Sequence, residues 1–259
     1  MPSLRLRSFG GSDVGRRREL NEDAYLIDDS LGLYTVADGV GGHAKGEVAS
    51  AESVDQIREF VVQGRELLQK LRGGTVSDEK REEVRRLLES GVQSACYFIF
   101  GMAEMDPEQK GMSTTMSALL VPDAGQAGFA VTAQVGDSRI YRVRDGSGVQ
   151  LTEDHTLINY KIKKGEISAA EARHMRGKNV ITRAVGHRDY VEVDTRIIDA
   201  RAGDRYLLCS DGLHGYLHEG ELESVLLDGG IEEAPARFIQ LANDRGGKDN
   251  VTVVIVCID

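Results

Sequence analysis

Leu33-Tyr34-Thr35-Val36-Ala37-Asp38-Gly39 is a strand-forming run that ends on an acid and a glycine. The same pattern recurs at Tyr206-Leu207-Leu208-Cys209-Ser210-Asp211-Gly212. Its mirror image appears twice more, where Asp23 precedes Ala24-Tyr25-Leu26-Ile27 and Asp249-Asn250 precedes Val251 to Ile258. Two acids therefore end strands and two begin them. If these strands are antiparallel neighbours, all four acids fall on one edge of the sheet. Carboxylates crowded there repel unless cations hold them. Hard divalent ions such as Mg²⁺ and Mn²⁺ prefer such oxygens. The pattern predicts a carboxylate-bound, two-metal active site.

The rest of the chain supplies a frame for that edge. Residues 3–40 read as β with turns. Val48, Ala51, Val54, Ile57 and Val61 recur at helical spacing, as do Val84, Leu87, Leu88, Ala95, Ile99 and Met102 in a helix from about Glu79 to Met105. Ser77 or Asp78 caps the second helix and Pro107 follows it; Gly73-Gly74 separates the two as an antiparallel hairpin. Strands are expected at Ser117 to Val121, Gly128 to Val135 and Arg139 to Val143, with Gly136-Asp137 turning between the last two. Further strands are expected at Val191 to Ile198 and Arg205 to Ser210, then helices near Glu219 to Leu227 and Glu233 to Asn243 before the final strand. This order predicts an α+β fold, with sheets covered by helix pairs.

Composition removes several function classes. A chain of 259 residues with 41% hydrophobic and 29% charged content can bury a full core. A formal net charge of −10 disfavours nucleic acid as a partner. No apolar run approaches transmembrane length, and Met1 to Gly11 carries no signal-peptide core, so no membrane partner is expected. Cys96, Cys209 and Cys257 form no CxxC pair, which points to a reducing, cytoplasmic setting. There is no Gly-x-Ser-x-Gly elbow, and Gly39 to Gly46 lacks the Lys-Ser/Thr ending of a P-loop. His214 and His218 stand four apart, but Gly215 interrupts them and no His-Glu-x-x-His pattern exists. Residues 156–178 form a basic, weakly apolar insert containing Lys161, Lys163, Lys164, Arg173, Arg176 and Lys178. It reads as a flap, or as a solvated surface helix.

Arg18-Glu19-Leu20-Asn21-Glu22-Asp23, followed by Asp38-Gly39-Val40-Gly41-Gly42-His43, resembles the metal-dependent PPM (type 2C) serine/threonine protein phosphatases in their compact bacterial form. The remaining signatures come in the family's order: Gly111 to Thr115, Val135-Gly136-Asp137-Ser138-Arg139, Thr152-Glu153-Asp154-His155, Asn179 to Gly186, Cys209 to Leu213 and Lys248 to Thr252. Asp-Gly alone is mostly a turn; this many motifs in fixed order are specific. The resemblance implies a four-layer α/β/β/α sandwich, two antiparallel sheets flanked by antiparallel helix pairs, as one catalytic domain over 1–259 with the flap at 156–178. It implies two Mn²⁺ or Mg²⁺ ions and a weaker third. Asp38 is to bridge the pair, Asp211 and Asp249 to complete one ion, and the Gly39 carbonyl with Glu22 or Asp23 to serve the other. Asp137 with Asp211 is to hold the third, although Gly215 stands where relatives often carry an acid.

Arg18 is implied to grip phosphate through parallel hydrogen bonds. His43 is implied to protonate the leaving oxygen or hold a metal-bound water; a loop histidine that only hydrogen-bonds is the other reading. The implied reaction is in-line attack on phosphoserine or phosphothreonine by a metal-bridging hydroxide, without a covalent intermediate. The implied partners are phosphorylated proteins and an opposing Ser/Thr kinase. A catalytically silent phosphoprotein-binding adaptor of the same fold is the alternative, though such proteins usually lose metal acids that this chain retains.

Overall fold

The computed structural model describes residues 5–40, 45–72, 76–125, 128–172, 175, 177 and 180–259. Alternation along β3 (Leu33–Val40) sets its layers. Leu33 packs toward the helices α1 (Gly46–Gln63) and α3 (Asp78–Met105), whereas Tyr34 and Val36 pack into the core between two sheets. Continuing that period of two carries Asp38 onto the inter-sheet face at the strand's end.

One sheet runs β2 (Asp23–Asp28), β3, β5 (Met116–Leu120), β6 (Phe129–Val135), β9 (Asp194–Asp199), with the short β4 (Ser113–Thr114) paired to β3. The other runs β1 (Leu6–Asp13), β11 (Val251–Ile258), β10 (Arg205–Cys209), β7 (Arg139–Arg144), β8 (Ser147–Gln150). Every pairing is antiparallel. Tyr34, Val36, Leu119, Ile140, Tyr206, Leu208, Val254 and Val256 fill the space between the sheets. The outer faces are covered by α1 and α3 on one side, and by α7 (Glu221–Leu227) and α8 (Ala234–Asp244) on the other. This is the expected four-layer sandwich. β11 is buried along its whole length because both of its faces are covered, which is why it reads as an unbroken apolar run.

Helix α3 starts where its cap signal lies: the Ser77 side chain accepts from the Lys80 amide. Gly64 sits against Leu87 and Gly91 against Ile57, so α1 and α3 run antiparallel. A short α2 (Arg65–Gln69) follows α1 directly; Gly73-Gly74 lies outside the described residues.

Three expectations need correction. The four acidic motifs do not share one sheet edge: Asp23 and Asp38 belong to the first sheet, while Asp211 and Asp249 flank β10 and β11 of the second. They meet across the sandwich at one end. Gly136-Asp137 does not close a hairpin either, because β6 and β7 lie in different sheets. The turn is a link from one sheet to the other. β9 also begins at Asp194 rather than Val191, because Val191 is held at α3 by the Gln93 side chain.

Candidate active site at the acid end of the sandwich

Asp23 and Asp38 are directly opposed partners in the β2–β3 ladder. Like charges facing each other in a sheet are unfavourable, and here nothing basic separates them. Burial pushes the Asp38 carboxyl well above the usual range, and repulsion from Asp23, Asp211, Asp137 and Asp249 pushes it further. Burial likewise raises Asp23 to about 7, with Asp211 and Asp249 adding to the rise. Asp137 rises to about 7 through burial and then Asp211, and Asp211 to about 6 through burial and then Asp249. These aspartates feel one another strongly; they form one electrostatic unit.

The backbone around Asp38 is tightly held. Its carbonyl accepts from the Thr115 amide (2.8 Å) and the Thr114 hydroxyl (2.9 Å), and its amide donates to Thr115 Oγ1 (2.9 Å). This explains the Gly111 to Thr115 motif: its threonines fix the strand that carries Asp38. Gly39 follows in β3, its amide donating to the Glu22 carbonyl (3.0 Å). Ser210 Oγ donates to Asp23 Oδ2 (2.8 Å) and accepts from the Thr252 amide (3.0 Å), stitching the two sheets together at the acids. The other Asp23 oxygen, Oδ1, is buried with no hydrogen-bond partner. Asp211 opens the one-turn helix α6 (Asp211–His214). Gly212 is required beside it, since an added Cβ would lie 1.9 Å from the Asn250 carbonyl oxygen.

Asn250 holds the loop before β2. Its Nδ2 donates to the carbonyls of Val14 (3.0 Å) and Leu20 (2.9 Å), and its Oδ1 accepts from the Glu22 amide (2.8 Å). That loop delivers Arg18, whose Nη2 reaches Asp249 Oδ2 (2.9 Å) and whose Nη1 lies 3.5 Å from Glu22 Oε2. Arg18, Glu22 and Asp249 thus form the partly exposed rim, and Asp23 and Asp38 the floor. Burial raises the Glu22 carboxyl, and Arg18 offsets part of the rise.

Every expected acid therefore gathers at one end: Glu22, Asp23, Asp38, Asp137, Asp211 and Asp249, with Arg18 beside them. His43 lies outside the described residues. Sequence reasoning did not identify Asn250 as a loop anchor or His214 as part of the site. His214 is half-buried, and its Nε2 donates to the Asp137 carbonyl (2.9 Å). Burial pushes it down to about 4, so it is neutral at physiological pH. No motif announces it; only its position one turn after Asp211 could have.

Among the described residues, no group of three or more His, Cys, Asp or Glu side chains is drawn into a closed metal cage. The donor set fits Mg²⁺ or Mn²⁺ nonetheless. Such ions take one or two carboxylates each and keep several waters. An orphaned buried Asp23 oxygen and mutually repelling aspartates are what a bound cation would relieve. A cavity of about 530 Å³ adjoins the acids, lined by Asp137, Asp211 and His214 together with Ile158, Asn159 and Ile162 of α4 (Leu157–Lys163). Ala172 of α5 (Ala169–Ala172) also lines it, so the basic insert borders the acid end. Arg173, Arg176 and Lys178 of that insert lie outside the described residues. A second cavity of about 400 Å³, lined by Leu31, Arg65, Leu68 and Val121 among others, holds none of these acids.

The family model for protein phosphatase 2C matches residues 11–246. The serine/threonine phosphatase stp of Listeria innocua is 35% identical over 249 residues, covering 95% of this chain and 93% of that protein. The serine/threonine protein phosphatase PstP of Mycobacterium tuberculosis is 37% identical over 254 residues, covering 98% of this chain and 45% of that protein. Among solved structures, the catalytic domain of PstP in complex with two manganese ions superposes with a TM-score of 0.80 at 33% identity, covering 99% of both chains.

Proposed function

The chain belongs to the protein phosphatase 2C family and is a serine/threonine protein phosphatase, and from that premise we propose that it cleaves phosphoserine and phosphothreonine by direct attack of water on phosphorus, with no covalent intermediate. The observation that carries this reading is the set of half-buried and buried aspartates that raise one another at one end of the sandwich, with an arginine at their rim. The manganese-bound relative supports assigning divalent cations to them. Two such ions, when bound, supply a water acidic enough to attack at neutral pH and offset charge on the phosphoryl oxygens.

In this reading Asp38, on the floor of the site opposite Asp23, would serve both ions. Asp211 and Asp249 complete one; the Gly39 carbonyl and an acid of the Glu22–Asp23 pair serve the other. Asp137 and Asp211 take a weaker third. Arg18 grips the phosphate, turning its guanidinium from Asp249 to two phosphoryl oxygens. His43 protonates the departing alkoxide or holds water for it. The flap segment beside the cavity contacts residues flanking the phosphate. Retention of all the acids argues against a silent adaptor.

Substrates are phosphorylated proteins, the reaction opposes a Ser/Thr kinase, and the setting is the cytoplasm. Three free buried cysteines support the last point. No described helix is long and apolar enough to cross a membrane, and the net charge of −10 argues against nucleic acid. Turnover of a phosphothreonine peptide, a nucleotide and a DNA phosphodiester, each with Mn²⁺, Mg²⁺ or excess chelator, tests the proposal. The peptide should be preferred, and chelator should abolish its turnover with no rescue by Ca²⁺. Preference for the nucleotide or the diester, or full activity in chelator, would overturn it.

A further inference from the structure

Asp137 sits in the link that carries the chain from β6 in one sheet to β7 in the other. Gly136 before it has φ +94°, and an added Cβ would meet Thr115 at 2.6 Å, so this position of the link requires glycine. Asp137 faces like charge from Asp211 and Asp154, which would push an unrestrained turn aside.

Two histidines from distant parts of the chain hold this link. The His155 amide donates to the Gly136 carbonyl (2.9 Å), and His155 Nδ1 accepts from the Gly136 amide (3.2 Å). An accepting Nδ1 places the ring proton on Nε2, which lies 3.1 Å from Asp194 Oδ2. Asp194 is itself held by Arg183 Nη1 (2.7 Å), which also lies 3.1 Å from His155 Nε2, so the pair backs the ring while the Gly136 amide on Nδ1 sets its tautomer. The His155 carbonyl accepts from the Thr182 amide (2.7 Å) and hydroxyl (3.1 Å), at the root of the flap. From the other side, His214 donates to the Asp137 carbonyl, and His214 closes the helix that Asp211 opens.

We propose that His155 and His214 are positioning residues that clamp the Gly136–Asp137 link, fixing the Asp137 carboxylate against Asp211 and tying it to the root of the flap. The proposal rests on the reading of Asp137 as a cation-facing acid. Groups that orient the residues around a metal carry measurable affinity without touching the ion.

The test is Mn²⁺ binding to the full chain, read by the electron paramagnetic resonance of free Mn²⁺. Asp137→Asn should weaken the loosest ion and so define Asp137's share. His155→Leu and His214→Leu should each weaken that same ion about tenfold and leave the tighter ions within about twofold. Neither should weaken it further when combined with Asp137→Asn. His155→Asn, whose Oδ1 can stand where Nδ1 accepts, should restore affinity to within about threefold, as should His214→Gln through its amide donor. A purely structural role would lower the melting temperature without this selective loss and without rescue. Unchanged Mn²⁺ binding in both leucine variants, with loss in Asp137→Asn, would overturn the clamp alone. Unchanged binding in Asp137→Asn would overturn the cation-facing reading of Asp137 and the clamp with it. Should a leucine variant fail to fold, Asp194→Leu carries the same test. It frees the tautomer from a half-exposed position and should weaken the loosest ion by a few-fold; no change would again overturn the clamp.

Discussion

β2 begins on Asp23 and ends on Asp28, and the two carboxylates live differently. Asp28 accepts from Arg58 Nε (2.9 Å) and from the Ser30 hydroxyl (2.6 Å). Despite partial burial, those bonds hold it below the ordinary carboxylate range. Its neighbour Asp29 accepts from the hydroxyls of Ser8 and Tyr34. At the same end of the second sheet, Asp204 is buried in a two-point pair with Arg144 (2.5 and 2.6 Å), and Arg144 also holds Asp199. At the opposite end, Asp23 faces Asp38 and the aspartates push one another upward. One end of the sandwich thus supplies its own cations. The other is built on the same strands but leaves most of its charge to be met from outside, with Arg18 at the rim and Arg139 beside the cavity as partial exceptions.

The contrast predicts the largest effect at the acid end. Asp38→Asn or Asp211→Asn should lower turnover at saturating Mn²⁺ by about a thousandfold, on the order of 4 kcal/mol of barrier. Each should raise the melting temperature of the chelated protein, because repulsion is relieved. Near-normal rates in either variant would misplace the site. Asp204→Asn should do the reverse: lose about 3 kcal/mol of stability, measured by denaturant unfolding, by leaving Arg144 without its buried partner, while kcat per folded molecule stays within about twofold. A catalytic loss at Asp204 would erase the distinction between the ends.

Acidity sharpens it further. Burial, with repulsion among the acids, pushes Asp23 and Asp137 up to about 7 and Asp211 up to about 6 in the folded protein, against an ordinary 3.8. Folded protein therefore holds more protons than unfolded protein between about pH 4 and 7, so the chelated form loses stability as pH rises through that window. Cations cancel the repulsion only once the acids ionise. The gap in melting temperature between Mn²⁺-loaded and chelated protein should widen from pH 5 to pH 8. Burial lowers His155 and His214, which costs stability as pH falls, but this acts on both forms and drops out of the gap. A gap independent of pH would contradict the picture.

The smallest effect belongs to the basic insert that borders the cavity. Lys163 pairs with Glu153 (2.7 Å) at the insert's edge. Neutralising Lys161, Lys163 and Lys164 together should change relative rates among phosphopeptides several-fold. Hydrolysis of a small aryl phosphate should stay within about threefold, less than about 1 kcal/mol of barrier. A uniform drop across all substrates would mean that the segment supports the acids themselves.

Local signals were legible where local physics decides. The bounds of β11 follow from an apolar run between Asn250 and the chain's last acid, and α3 starts at its serine cap. The gathering of the acids was legible as strand-edge chemistry. Their division between two sheets was not, because the partner of a strand is set by packing far along the chain. The same holds for Gly136-Asp137, which has the composition of a hairpin turn but joins strands whose apolar faces meet across the inter-sheet core. β8 was missed because Ser147 to Gln150 is short, polar and exposed, with little burial to mark it. α2 was missed because it continues α1 with only Gly64 between them. His155 and His214 show the same limit at the site: each reaches the Gly136–Asp137 link through backbone groups that no local sequence pattern marks.

Manganese anomalous diffraction from crystals grown with Mn²⁺ tests the central claim most directly. Two strong peaks should flank Asp38, each within about 2.2 Å of one of its carboxylate oxygens, and none should appear at Asp28 or Asp204. Crystals of enzyme that is active in the same Mn²⁺ solution, yet show no peak at Asp38, would contradict the account.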